Sequence, residues 1–264
     1  MKWTDTPTGV IRAAENRLWT ALGDDASHVA ERINTSPEIL ARIARNMQHD
    51  GFEPSTSIVR AKEIMGDNFF GIPDMSRIFE FTPTPRQLAM LNTVPFRDTT
   101  LKACSKTHIL IAVLPVSIVG MQKLLASKDQ RSYPLRFDTS GMWYAKHAFA
   151  TTPNEIGWQL IRIAPVDGSF AMSFNQQREL LAEDEELLPA GILVYAMIGH
   201  YEAYHSHHRE RLFNNTTVRS ADIDPEAENG PVYLGQVNRY IRIWSAAENT
   251  VHPNVGIASQ RIAD

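Results

Sequence analysis

The chain has 264 residues, 43% hydrophobic and 21% charged, with 26 Lys and Arg against 30 Asp and Glu for a net charge of -4. That composition excludes a mostly disordered chain, and the length suits one large domain or a small helical region attached to a larger core. The acidic balance leaves the whole molecule without attraction for phosphate backbones or anionic lipid, and the single Cys104 excludes an internal disulfide and a cysteine-based zinc cluster.

The N-terminal stretch MKWTDTPTGVIRAAENRLW has no uninterrupted apolar run of the secretory type and turns acidic from Asp5, so a cytoplasmic protein is expected. Residues 10 to 22 read as a helix, with Ile11, Ala14, Leu18 and Leu22 on one face. Residues 27 to 33 and 37 to 48 read as two more, separated by Asn34, Thr35 and Ser36, with Ser36 as N-cap and Pro37 at the first helical position. Residues 49 to 57, through GFEPSTS, read as a linker, and Ile58 to Met65 as a further short helix. The chain therefore divides into an N-terminal helical region with its linker, residues 1 to 57, and a core domain, residues 58 to 264.

From Gly66 to Pro95 the chain is rich in Pro and Phe, an irregular bridge with a helix at 84 to 92, and Asp98 caps another helix at 99 to 105. The run HILIAVLPVSI, 108 to 118, reads as a strand buried on both faces, and GWQLIRIAP, 157 to 165, as a second. A turn at Pro165 to Gly168 leads to a helix at 173 to 183 capped by Ser173. Residues 189 to 206 are apolar on nearly every face until His200, which predicts a helix that plunges into the core and emerges at a polar end. Strands follow at 212 to 221 and 232 to 245, joined by the acidic loop DIDPEAENG, and a last strand at 255 to 262. The longest apolar runs, Ile109 to Val119 and Ala190 to Gly199, fall short of the ~20 residues that span a bilayer, so no membrane partner is expected. Helices first, then strands with inserted helices, predict an α+β fold: an N-terminal helical region followed by a mixed or antiparallel sheet core packed with helices.

Three constellations could carry chemistry. HVAERINTSPEILARIARNM has the outline of a helix-turn-helix, packed by Ala30, Ile33, Leu40 and Ile43, with Arg42, Arg45 and Asn46 on the outward face as candidate DNA-reading side chains. Against it stand Asn34 where glycine is usual, Thr35 where an apolar residue packs, and 6 basic residues against 7 acidic ones in the first 50. The simpler alternative is two short antiparallel helices packing on the core. In GHYEAYHSHHRE, His205 and His208 are three apart on a helix and could hold a divalent transition metal with Glu202, although the H-E-x-x-H order is absent. A solvated helix end, where cationic histidine favours the negative end of the dipole, explains the same residues more simply. The third is Cys104 with His108, a thiol four residues before an imidazole, weighed against a small buried hydrophobe.

The remaining patterns are weaker. Asp222, Asp224, Glu226 and Glu228 alternate like a calcium loop, but Pro225 and a missing glycine spoil the EF-hand order. Tyr240 and Trp244 flank Arg242 on one strand face while Ile241 and Ile243 point the other way, either a ligand or partner surface or, more simply, an amphipathic strand whose second face is covered by a helix. Glycine-rich nucleotide loops and the G-x-S-x-G elbow are absent.

The blocks GFEPSTSIVRAKEIMGDNFFGI, TPRQLAMLNTVPF, KTHILIAVLPVSI, GWQLIRIAPVDGS, VYAMIGHY, RLFNNTTVRSADID and GIASQR resemble a family of uncharacterised bacterial proteins over roughly residues 51 to 264. The resemblance implies no activity and no functional residue. Members pass from the GHY block to ERLF without a string of histidines, so this sequence departs from them there. The expectation is a non-enzymatic binding or interaction protein, with a protein or DNA partner contacted through residues 28 to 48. The alternative is a metal-assisted hydrolase using Glu202, His205 and His208 around an activated water. No cofactor is predicted beyond that divalent metal.

Overall fold

A computed structural model describes residues 55–129, 135–138, 142–204, 212–237 and 239–264, all within a unit running from Pro54 to Asp264. The helices predicted at 10 to 22, 27 to 33 and 37 to 48 lie outside the described residues. The predicted linker ends in structure: β1 (Thr56–Ser57) runs into α1 (Ile58–Met65), whose first turn is capped by Ser57 accepting from the Arg60 amide. Then follow β2 (Phe69–Phe70), α2 (Ile72–Ile78), α3 (Pro85–Met90), β3 (Thr93–Val94), α4 (Asp98–Cys104) and β4 (His108–Val113). The chain continues through α5 (Ile118–Ser127), β5 (Arg136–Phe137), α6 (Ala148–Thr151), β6 (Gly157–Arg162), α7 (Phe174–Arg178), β7 (Glu185–Leu187) and α8 (Ala190–Tyr204). It closes with β8 (Thr217–Asp224), β9 (Gly230–Val237), β10 (Tyr240–Ser245), β11 (Val255–Ile257) and β12 (Ser259–Arg261).

The strands form two five-stranded sheets, ordered β2-β4-β6-β12-β7 and β11-β8-β9-β10-β5, with β1 and β3 as a separate ribbon. Each large sheet is mixed, since β2 joins β4 in parallel, as β5 joins β10 and β11 joins β8, while the other pairs are antiparallel. The fold is therefore α+β. Buried Ala258 is the pivot at which one extended segment leaves the second sheet as β11 and enters the first as β12.

α8 packs against β4 of the first sheet and β8 and β9 of the second, which is why it is apolar on nearly every face. Ala190 through His200 are all buried, and the Gly191 carbonyl accepts from Asn154 Nδ2. Tyr195 stacks on Phe79 at 4.0 Å, accepts from the Leu114 amide and donates to the Ala112 carbonyl. Gly199 allows a close approach: a Cβ there would lie 3.1 Å from Met75 Sδ and 3.3 Å from Ile111 Cδ1, so both side chains would have to shift slightly. Asp222 of β8 caps the helix from outside, accepting from the Ala190 amide at 2.6 Å.

Several boundaries differ from the sequence-based expectations. The strand expected at 108 to 118 ends at Val113, because Pro115 cannot continue the ladder and Ser117 caps α5. The strand expected at 232 to 245 is two antiparallel strands, with Tyr240 opposite Val237. Arg97, and not Asp98, is the N-cap of α4, and the Asp264 carboxylate supplies the missing acceptor for the Arg97 amide and Thr100 hydroxyl. Ser173 does cap its helix, in a reciprocal pair with Gln176, but α7 stops at Arg178.

Candidate functional site

Strand alternation gathers polar side chains at one end of the first sheet. His108 opens β4 directly opposite Arg162, the last residue of β6. Arg261 of β12 lies between Leu160 of β6 and Glu185 of β7 in the ladder. Leu160 precedes Arg162 by two residues, so His108, Arg162, Arg261 and Glu185 share one face. The last turn of α4 brings Cys104 over that face, and these five residues, with Thr107, line a cavity of about 400 Å³.

His108 is 5% exposed. Its Nδ1 lies 2.8 Å from Thr107 Oγ1, while its Nε2 is buried with no hydrogen-bond partner in the protein. Burial, reinforced by the charges of Arg162 and Arg261, pushes its pKa down to about 4, so the ring is neutral at neutral pH. Arg162 is paired with Asp167 at 3.1 Å and Glu185 at 3.3 Å, and Arg261 with Asp184. Arg261 Nε is nevertheless buried and unpartnered. Burial pushes the Cys104 thiol up, against the opposing pull of the adjacent Arg261 guanidinium. A thiol raised and an imidazole lowered are both neutral, which disfavours the thiolate-imidazolium pair that nucleophilic catalysis needs.

No family model, curated protein or solved structure matches this chain.

The other predicted sites are placed differently. Arg42, Arg45, Asn46, His205 and His208 lie outside the described residues. Glu202 is half-buried on the last turn of α8, and His200 is a core residue, 5.8 Å from the Phe70 ring. Among the described residues no group of three or more His, Cys, Asp or Glu side chains is arranged to hold a metal ion. The acidic loop does not converge either: Asp222 caps α8, Asp224 accepts from the Ser245 hydroxyl, and Glu226 pairs with Lys146. On β10, Ile241 and Ile243 are buried while Tyr240 is exposed and Arg242 pairs with Asp138, as the alternation predicts. Among the described residues no helix is long and apolar enough to cross a membrane.

Cys104 and His108 stood out in the sequence, but Arg162, Arg261 and Glu185 did not. Each is a single charge at the end of a short strand, and only the ladder that pairs those strands brings them together.

Proposed function

We propose that this is a non-enzymatic binding protein whose ligand is a small polar molecule held in the cavity between Cys104, His108, Arg162 and Arg261. The observation that supports it best is the cavity itself, walled by the paired guanidiniums of Arg162 and Arg261 together with His108, Thr107 and Cys104. A volume of about 400 Å³ falls within the range of small-molecule sites. The neutral thiol and imidazole favour holding a ligand over attacking one.

Cys104 is the single cysteine of the chain, so its alkylation by iodoacetamide reports on the cavity alone. A polar metabolite found by thermal-shift screening is expected to slow that alkylation and to lose its shift in Arg261→Gln. A ligand that raises the melting temperature equally in both proteins and leaves the alkylation rate unchanged would place binding elsewhere and sink the proposal.

Two further proposals turn wholly or partly on side chains outside the described residues: duplex contact through Arg42, Arg45 and Asn46, and a metal-assisted hydrolase at Glu202 with His205 and His208. The first requires salt-dependent DNA binding that an Arg42→Ala, Arg45→Ala double variant loses, and the second a stoichiometric transition metal in untagged protein; without these findings each falls.

A further inference from the structure

We infer that a cavity at the start of β8 is a second ligand site, and that it takes a neutral polyhydroxylated ring, the pyranose unit of a saccharide. It shares no lining residue with the cavity at Cys104.

Two loops and one strand build it. The loop between β6 and α7 brings Phe170, the loop between β10 and β11 brings Pro253 and Asn254, and Thr216 and Thr217 stand at the start of β8. Together they line a volume of about 620 Å³. Thr217 is opposite Val255 in the parallel ladder, so Thr216 and Asn254 enter side by side just before it.

Both loops are held by two fully buried side chains, Arg219 and Gln177. Arg219 donates to the carbonyls of Met172 and Thr250, and Gln177 Nε2 to those of Ser169 and Val255. Ser169 and Met172 stand on either side of Phe170, as Thr250 and Val255 stand on either side of Pro253 and Asn254. Gln177 Oε1 accepts in turn from Arg219, and the Ala171 amide donates to the His252 carbonyl at 3.2 Å, so each loop fixes the other. Loops tied in this way lose little conformational entropy when a ligand binds.

Among the described residues that line this cavity none is charged, which favours a neutral ligand over an anion or a cation. Thr216 and Thr217 are half-buried and Asn254 is exposed, and among the described residues their side chains have no hydrogen-bond partner. They are open to the cavity and free to bond a ligand. Each hydroxyl, like the amide, both donates and accepts. Neighbouring sugar hydroxyls do the same and can satisfy such a set, whereas a purely apolar ligand strips its water and returns nothing. The C–H face of a pyranose is apolar and needs a flat apolar partner. Phe170, 40% exposed, supplies one. An aromatic plate beside convergent two-way polar groups has the amphipathic character of the ring it would hold.

Saturation-transfer NMR on the full chain tests this, with the methyl α-glycosides of glucose, mannose, galactose and N-acetylglucosamine, and adenosine, as probes. At least one glycoside is expected to receive saturation, most strongly at the ring C–H protons of one face. Phe170→Ala is expected to abolish that transfer. Thr216→Val and Asn254→Ala are each expected to weaken the affinity about fivefold, the size of one neutral hydrogen bond. The three changes are on separate segments, and each is read only where the variant keeps the melting temperature of the unaltered protein, so one misfolded variant leaves the others to decide. The bound glycoside is expected to leave the alkylation rate of Cys104 unchanged. The inference falls if no glycoside binds, if binding survives these substitutions undiminished, or if slowed alkylation moves it to the first cavity. Transfer to adenosine and none to the glycosides assigns the aromatic plate to a nucleobase and overturns it as well.

Discussion

His108 and Arg219 show two ways in which this fold holds a nitrogen base out of water. Arg219 is fully buried on β8, donating to the carbonyls of Met172 and Thr250 and to Gln177 Oε1, with its guanidinium 5.1 Å from the Tyr233 ring centroid. Carbonyl oxygens and an aromatic face replace most of its hydration, so it ties the segments at Met172 and Thr250 to β8. His108 has fewer partners and gives up its charge instead. Its pKa falls from an ordinary 6.5 to about 4 on folding, so between those values the unfolded chain binds more protons than the folded one. Stability from this residue is fully present above pH 6.5 and is lost as pH falls toward about 4, by about 3 kcal/mol in all. Urea unfolding in anion-poor buffer at pH 7, 5.5 and 4.5 should show that loss, and His108→Gln should remove it from the profile. An equal acid loss in both proteins would assign it to other groups.

At the scale of elements, local capping was readable and distant capping was not. Ser173 stands immediately before the helix it caps, and the sequence shows it; Ser57 stands in the same position before α1 but fell within the expected linker. Asp222 and Asp264 cap α8 and α4 from distant points in the chain, where no spacing rule can find them. Asp222→Ala is expected to cost about 1–2 kcal/mol in urea unfolding, the size of a lost N-cap. Asp222→Asn, which keeps an acceptor, should cost less; equal losses would assign the effect to packing. The β9–β10 hairpin was missed for a different reason. Its buried aliphatic positions change phase, from Val232 and Leu234 to Ile241 and Ile243, across Asn238 and Arg239, a shift that reading 232 to 245 as one apolar-rich run passes over. What betrays the hairpin in three dimensions is Gly230 at its start, where an added Cβ would sit 1.6 Å from the Ala246 carbonyl oxygen.

At the scale of the described core, α8 and the β11–β12 segment join the two sheets, so neither sheet has an apolar face that survives separation from the other. Amides of β4 and β9 are accordingly expected to exchange hydrogen through one opening, with the same free energy and the same denaturant dependence. Exchange from β9 at several kcal/mol below β4 would show the second sheet opening alone. The sequence by itself determined the α+β class, the buried strands at 108 and 157, the all-apolar helix from 190 and the helix at 58, because burial leaves its period in the chain. It also picked out Cys104 and His108, two reactive side chains four residues apart. Only the tertiary structure decided that Arg162, Arg261 and Glu185 meet them, since strand order and register depend on pairings between segments about 100 residues apart, as for Leu160 and Arg261. The same contacts set the charge of His108, which desolvation and the two neighbouring guanidiniums fix and no local pattern can show.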